Sequence, residues 1–84
     1  MIPIHELLNR IRWDEEFAQG EFQIAYYDRL SNAINKVAFE ELYFDPNDHF
    51  AFQIIDDEGT TQQIPLHRVR EVYKDGKLIW SRHA

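Results

Sequence analysis

Residues 69–82 read VREVYKDGKLIWSR, and this stretch decides the fold. Two runs of β-forming residues, 69–74 and 77–82, flank the dipeptide Asp75-Gly76, which favours the positive backbone angles of a tight hairpin turn. The stretch therefore predicts an antiparallel hairpin. Directly upstream, Pro65-Leu66-His67 should interrupt the preceding strand, because proline offers no N–H to a sheet.

Four further strands are predicted upstream of this hairpin by apolar alternation and by turn residues. They span residues 22–27, 34–39, 50–55 and 60–64. The second of them should carry a bulge, because Ile34 and Val37 break strict alternation. Residues 40–44 remain ambiguous, since they are short for a helix and irregular for a strand.

One amphipathic helix is predicted at the start of the chain. Its apolar face repeats at helical spacing: Ile4, Leu7, Leu8 and Ile11. We expect the helix from about Pro3 to Arg12, with Trp13 just past its end, because proline is tolerated in the first turn. The predicted fold class is α+β: an N-terminal helix plus about six short antiparallel strands in hairpins, in a strongly twisted or barrel-like sheet, as a single domain over residues 1–84.

The composition excludes several classes of protein. The chain has no Cys, which excludes disulfides, thiolate metal sites and a cysteine nucleophile. Its longest apolar run is the four residues from Ile24 to Tyr27, so no transmembrane helix is predicted. The N-terminus lacks the long apolar stretch of a signal peptide, and we therefore expect a cytoplasmic protein that does not bind membranes.

The net charge of −6 is unevenly distributed. Residues 1–65 hold 13 acids and four bases, a net −9, whereas residues 66–84 hold five bases and two acids, a net +3. An anion-binding face on an acidic body is compatible with this asymmetry, as is a basic strand face that is simply solvated.

Motifs for catalysis, cofactors and metals are missing from the sequence. The four histidines form no paired metal motif, and no phosphate-cradling glycine loop or G-x-S-x-G nucleophile is present. A two-histidine phosphoesterase needs a hydroxyl residue two positions after each catalytic histidine. Those positions hold Leu7, Ala51 and Val69. We therefore predict no catalytic residue, no metal and no cofactor.

The basic C-terminal segment has the chemistry of a phosphate site. Arg68 and Arg70 should share one face of a strand, while Val69 points to the core. The planar guanidinium group suits phosphate oxygens, and His67 adds a donor whose charge depends on pH.

Aromatic residues lie next to arginines at several places in the sequence. Trp80 and Tyr73 offer flat surfaces in the same segment, and two further combinations lie upstream: Arg12 with Trp13, and Tyr27 with Asp28 and Arg29. Such combinations are compatible with single-stranded nucleic acid recognition, where bases stack on aromatic rings. They are also compatible with aromatic residues in the core and arginines paired to the surplus carboxylates. For Trp13 and Trp80 individually, a place in the core is the favoured interpretation.

These residues also carry a resemblance to a known family. The matching motifs are IPIHELL (2–8), IRWD (11–14), YYDR (26–29), DHF (48–50) and the segment from Pro65 to Trp80. In them the chain resembles the small archaeal and bacterial family described as an RNA cyclic-group end-recognition domain. The resemblance implies binding of RNA 3′ ends that bear a 2′,3′-cyclic phosphate. The residues it carries over are His5, Arg12, Trp13, Asp28, Arg29, His67, Arg68, Arg70 and Trp80.

Two alternatives to RNA-end binding stay open at this point. A protein-interaction or assembly module would use exposed sheet edges to pair with a partner strand, and protein partners from RNA processing would fit either role. A small cyclic-phosphate hydrolase would use His67 and His49 as acid and base, although the hydroxyl partners are missing. The oligomeric state is not specified by the sequence.

Overall fold

One helix and six strands follow each other in the predicted order. The computed structural model describes residues 2–48, 50–55 and 58–82. The elements are α1 (Ile4–Trp13), β1 (Phe22–Asp28), β2 (Ala33–Ala38), β3 (Ala51–Ile55), β4 (Thr61–Pro65), β5 (Val69–Lys74) and β6 (Lys77–Ser81). Single turns of 3₁₀ helix follow β2 at Phe39–Glu41 and precede β5 at Leu66–Arg68. The ambiguous residues 40–44 therefore include the end of a 3₁₀ turn.

The strands form two antiparallel sheets. A four-stranded sheet has the order β2-β1-β5-β6, and β3 pairs with β4 in a separate two-stranded sheet. The predicted α+β class and antiparallel hairpins are confirmed. The sheet was predicted to be strongly twisted or barrel-like, and the described strands do not close into a barrel. The β3–β4 hairpin packs over the larger sheet, where the Phe52 ring makes a T-shaped contact with the Tyr26 ring.

The bulge predicted in β2 is wrong. Pairing between β1 and β2 runs without a break from Gln23↔Ala38 to Asp28↔Ala33. The alternation fails for a different reason: β2 is an edge strand, and Ile34 is 51% exposed, so burial does not enforce a period of two there. The register shifts occur instead on either side of β5, against β1 and against β6.

The core lies between one face of the four-stranded sheet, α1 and the β3–β4 hairpin. The predicted apolar face of α1 is buried, and Ile24, Phe52, Val69 and Val72 are completely enclosed. Trp13 forms the last residue of the helix rather than following it, a difference of one residue at a boundary. The other face of the large sheet, which we call the outer face, includes Tyr27 and Tyr73.

The predicted β5–β6 turn is confirmed and also holds a distant segment. Asp75 and Gly76 have φ angles of 52° and 81°, as a turn between antiparallel strands with right-handed twist requires. The Asp75 carboxylate accepts a hydrogen bond from the Glu21 N–H at 2.8 Å, and the Asp75 N–H donates to the Glu21 carbonyl at 2.7 Å. These two hydrogen bonds fix the end of the loop that connects α1 to β1.

No helix within the described residues is long and apolar enough to span a membrane.

Candidate functional site

Two clefts flank the Leu66–Arg68 turn, and half of the ten predicted site residues line them. The first, which we call the helix cleft, has a volume of about 430 Å³ and lies between α1 and the chain before β3. Its polar and aromatic lining consists of His5, Asn9, Arg12, Phe44, Asp48 and Phe50. The second, the turn cleft, has a volume of about 510 Å³ and lies between the β1–β2 turn and β4. Arg29 and Arg68 line it together with Asp28, Gln62 and Gln63.

One row of polar side chains on α1 lines the helix cleft. His5, Asn9 and Arg12 follow each other at spacings of four and three residues, which places them on one stripe of the helix. The buried stripe directly beside it anchors the helix to the sheet and thereby fixes this row. Leu66, at the start of the 66–68 turn, forms part of the apolar wall.

The Arg12 guanidinium is held by aromatic rings. Its central carbon lies 4.5 Å from the centroid of the Phe44 ring and 5.1 Å from that of Trp13. Such cation–π contacts orient the group without using its N–H donors. Within residues 2–48, 50–55 and 58–82, no carboxylate forms an ion pair with Arg12; on the same helix, Arg10 pairs with Asp14 at 4.0 Å.

Asp48 is the acidic group in the helix cleft, and both of its oxygens are engaged. One accepts from the Phe50 N–H at 2.9 Å, and the other accepts from the Gln63 side-chain amide at 2.8 Å. These bonds connect the cleft wall to β4. Asp48 therefore shapes the segment that carries Phe50.

Two aromatic side chains project into water beside the helix cleft. Trp13 is 73% exposed and Phe50 is 82% exposed. The core interpretation of Trp13 is therefore wrong, since position 13 falls off the buried helical stripe. Phe50 and Phe44 also line the helix cleft, although the sequence patterns do not single them out. The apolar alternation predicts a strand that includes Phe50, but β3 begins one residue later, which leaves the ring exposed.

The turn cleft corrects the predicted placement of Arg68. Arg68 does not share a strand face with Arg70, because the chain makes a 3₁₀ turn after Pro65 and β5 begins only at Val69. Val69 is fully buried, as predicted. Arg68 instead faces the same space as Arg29 from the β1–β2 turn.

Asp28 serves the β1–β2 turn. Its carboxylate accepts one hydrogen bond from the Leu30 N–H at 2.9 Å and another from the Asn35 side-chain amide at 2.8 Å. Both oxygens are therefore used to close the turn that presents Arg29. Asp28 therefore has a structural role in this turn, and its contact with RNA stays a prediction.

Arg70 and Tyr27 form a separate pair. The Arg70 guanidinium carbon lies 5.9 Å from the centroid of the Tyr27 ring, and the Tyr27 hydroxyl donates to the Asn32 side-chain oxygen. On β5, the Tyr73 hydroxyl donates a hydrogen bond to the Glu71 carboxylate. This hydrogen bond is the main cause of the raised pKa of Tyr73.

Trp80 lies in the core, so the predicted stacking role is wrong and the core interpretation is correct. Only 7% of its surface is exposed, and its indole N–H donates to the Ile2 carbonyl at 2.9 Å. Trp80 pairs with Val72 across β5 and β6, which directs it to the inner face. A base cannot stack on a ring that is enclosed in this way.

The histidines do not assemble into a described catalytic pair. His5 lines the helix cleft, whereas His67 is exposed on the 66–68 turn between the two clefts. His49 and His83 lie outside the described residues. In the described part of the chain, no three His, Asp or Glu side chains are grouped to hold a metal ion.

The predicted site residues therefore fall into three neighbouring places rather than one concave patch. His5 and Arg12 line the helix cleft, and the Trp13 ring lies beside it against Arg12. Arg29 and Arg68 line the turn cleft, and Arg70 lies against Tyr27. The 66–68 turn joins the first two, because Leu66 lines one and Arg68 the other.

Comparison with known proteins supports the resemblance found in the sequence. Neither a curated protein nor a solved structure matches the chain. A family model, however, covers residues 1–82 of the 84. Its description concerns recognition of cyclic-group RNA ends. The chain belongs to the family described as the MJ1316 RNA cyclic group end recognition domain.

Proposed function

We propose that this chain binds RNA ends that carry a 2′,3′-cyclic phosphate, without cleaving them, and that the helix cleft holds the terminal nucleotide. The observation that carries the proposal is the Arg12 guanidinium. It lies in a 430 Å³ cleft, against the Phe44 and Trp13 rings, and no carboxylate of the described chain forms an ion pair with it.

The chemistry of a cyclic phosphate fits these groups. Its two non-bridging oxygens share one negative charge, and the guanidinium fork can donate two parallel N–H bonds to such a pair. His5 and Asn9 lie on the same stripe of α1 and can donate to the ester or sugar oxygens. A volume of about 430 Å³ lies within the usual range of small-ligand sites, roughly 300–1,000 Å³.

Base stacking would supply affinity without reading the sequence. Phe50 and Trp13 present exposed ring faces near the cleft. A stacked base contributes about 1–3 kcal/mol by alanine substitution, and every base offers such a face. The net charge of −6 disfavours binding of a long phosphate backbone, so the charge favours contact with a strand end.

The test compares three oligoribonucleotides of one sequence, ending in 2′,3′-cyclic phosphate, 3′-phosphate or 3′-hydroxyl. We expect the wild type to bind the cyclic end more tightly than the hydroxyl end. Arg12→Gln should weaken binding of the cyclic end by roughly 10- to 100-fold, the usual effect of losing a charged hydrogen-bond donor. The matched control is Arg10→Gln on the same helix, because Arg10 does not line the helix cleft. Equal binding of the three ends, or equal losses in both variants, would contradict the proposal.

A protein-interaction module is the second candidate, and exposed sheet edges favour it. Ile34 on β2 and Ile55 on β3 are large apolar residues that are at least half exposed, and both strands lie at an edge. Light scattering should then detect a stable dimer, and Ile34→Lys or Ile55→Lys should dissociate it. A monomer at high concentration would count against self-assembly.

A further inference from the structure

We infer that the turn cleft is a second phosphate site, which holds the backbone phosphate of a nucleotide just before the RNA end. This inference rests on the proposed function of the helix cleft. It assigns the turn cleft a ligand of one chemistry, the phosphodiester of the same single strand.

The turn cleft is lined by two arginines. Arg29 and Arg68 approach one 510 Å³ space from two separate turns. Neither forms an ion pair with a carboxylate among residues 2–48, 50–55 and 58–82. Two like charges that face the same cavity repel each other, and a phosphate between them would remove this repulsion.

The acidic group in the turn cleft is engaged in hydrogen bonds within the protein. Asp28 lines the space, but its two oxygens accept hydrogen bonds from the Leu30 N–H and the Asn35 amide. Its carboxylate is thus directed to the β1–β2 turn. Gln62 and Gln63 also line the cleft, and they bring no further negative charge.

The turn cleft and the helix cleft lie on either side of the 66–68 turn. Leu66 lines the helix cleft and Arg68 lines the turn cleft, and two trans peptide units separate their Cα atoms by at most about 7.6 Å. His67 lies between them and is exposed. A strand that leaves the helix cleft over His67 therefore reaches Arg68 within one or two nucleotides.

The test measures how affinity depends on RNA length. The probes are adenosine 2′,3′-cyclic monophosphate and tri- and pentanucleotides that end in the same cyclic nucleotide. We expect the wild type to bind the trinucleotide roughly tenfold more tightly than the mononucleotide, the usual effect of one charge-assisted hydrogen bond. Arg68→Gln or Arg29→Gln should remove most of this gain and leave the mononucleotide affinity within about twofold.

Lys77→Gln provides the matched control, since it also removes one positive charge. Lys77 is the cross-strand partner of Lys74, and Lys74 is the partner of Phe22. Phe22 begins β1 and Asp28 ends it, so Lys77 lies at the end of the sheet away from the turn cleft. This variant should retain the length gain. The slope of affinity against salt for the trinucleotide should decrease by about one in Arg68→Gln and stay unchanged in Lys77→Gln.

The outcomes separate this inference from the proposed function. A wild type that binds the cyclic mononucleotide but gains nothing from length overturns the second site alone. The same holds if Arg68→Gln weakens the mononucleotide as strongly as the trinucleotide. A wild type that binds neither the mononucleotide nor the oligomers overturns both proposals.

Discussion

Replacement of Gly20 by alanine should destabilise the protein strongly, through its contact with the β5–β6 turn. Gly20 has a φ of +115°, and a Cβ atom there would lie 2.8 Å from one carboxylate oxygen of Asp75. The carboxylate would have to move, although it accepts the hydrogen bond from the Glu21 N–H. Gly20→Ala therefore combines backbone strain with the loss of this one hydrogen bond between distant segments.

The magnitude follows from these two contributions. A non-glycine residue in a sparsely populated backbone region costs about 1–3 kcal/mol, and loss of the hydrogen bond costs about 1 kcal/mol. We expect the free energy of unfolding to fall by roughly 2–4 kcal/mol. For a domain of this size, that corresponds to a decrease in Tm of roughly 10–30 °C.

Gly59→Ala is the matched control. Gly59 has a φ of +82°, and a Cβ atom there would have no described atom within 4 Å apart from those of its chain neighbours. Its cost should be limited to backbone strain, about 1–2 kcal/mol. Urea unfolding of both variants gives the comparison. In an Asp75→Gly background, which removes the carboxylate but tolerates the φ of 52°, Gly20→Ala should lose its excess cost. Equal costs for the two glycines, or no coupling to Asp75, would refute the reasoning.

Three single side chains give further predictions. Burial raises the pKa of Tyr26, so the folded state keeps the phenolic proton at a pH where the unfolded chain has lost it. The free energy of unfolding should therefore fall above about pH 10, and it should fall less in Tyr26→Phe. Denaturant titrations at each pH would measure both changes. Phe50→Ala should change stability by no more than about 0.5 kcal/mol, because the ring is exposed, yet weaken RNA binding by about 1–3 kcal/mol in a titration. Trp80→Phe should cost about 1–3 kcal/mol in thermal unfolding, because the Ile2 carbonyl loses its donor.

The local elements were predictable because their signals are local. The period of the apolar residues in α1 and the dipeptide Asp75-Gly76 specify a helix face and a turn by backbone physics alone, and both are confirmed. Arg68 was misplaced because proline marks the end of a strand but does not indicate whether a 3₁₀ turn follows.

The site was only partly predictable, because it depends on which distant segments meet. Trp13 and Trp80 have the same chemistry in the sequence, but one projects into water and the other fills the core. Phe44 and Phe50 join Arg12 only when the chain before β3 packs against α1, and no local pattern specifies that contact. Each arginine is a candidate from its type and neighbours in the sequence, whereas their distribution over two clefts and the Tyr27 ring depends on the fold.

The most direct test of the central claim is an NMR titration of the labelled protein with adenosine 2′,3′-cyclic monophosphate. We predict the largest shift changes at His5, Asn9 and the Arg12 side chain in the helix cleft, and much smaller changes with adenosine. Shifts confined to Tyr27 and Tyr73 on the outer face, or no shifts with either compound, would contradict the account.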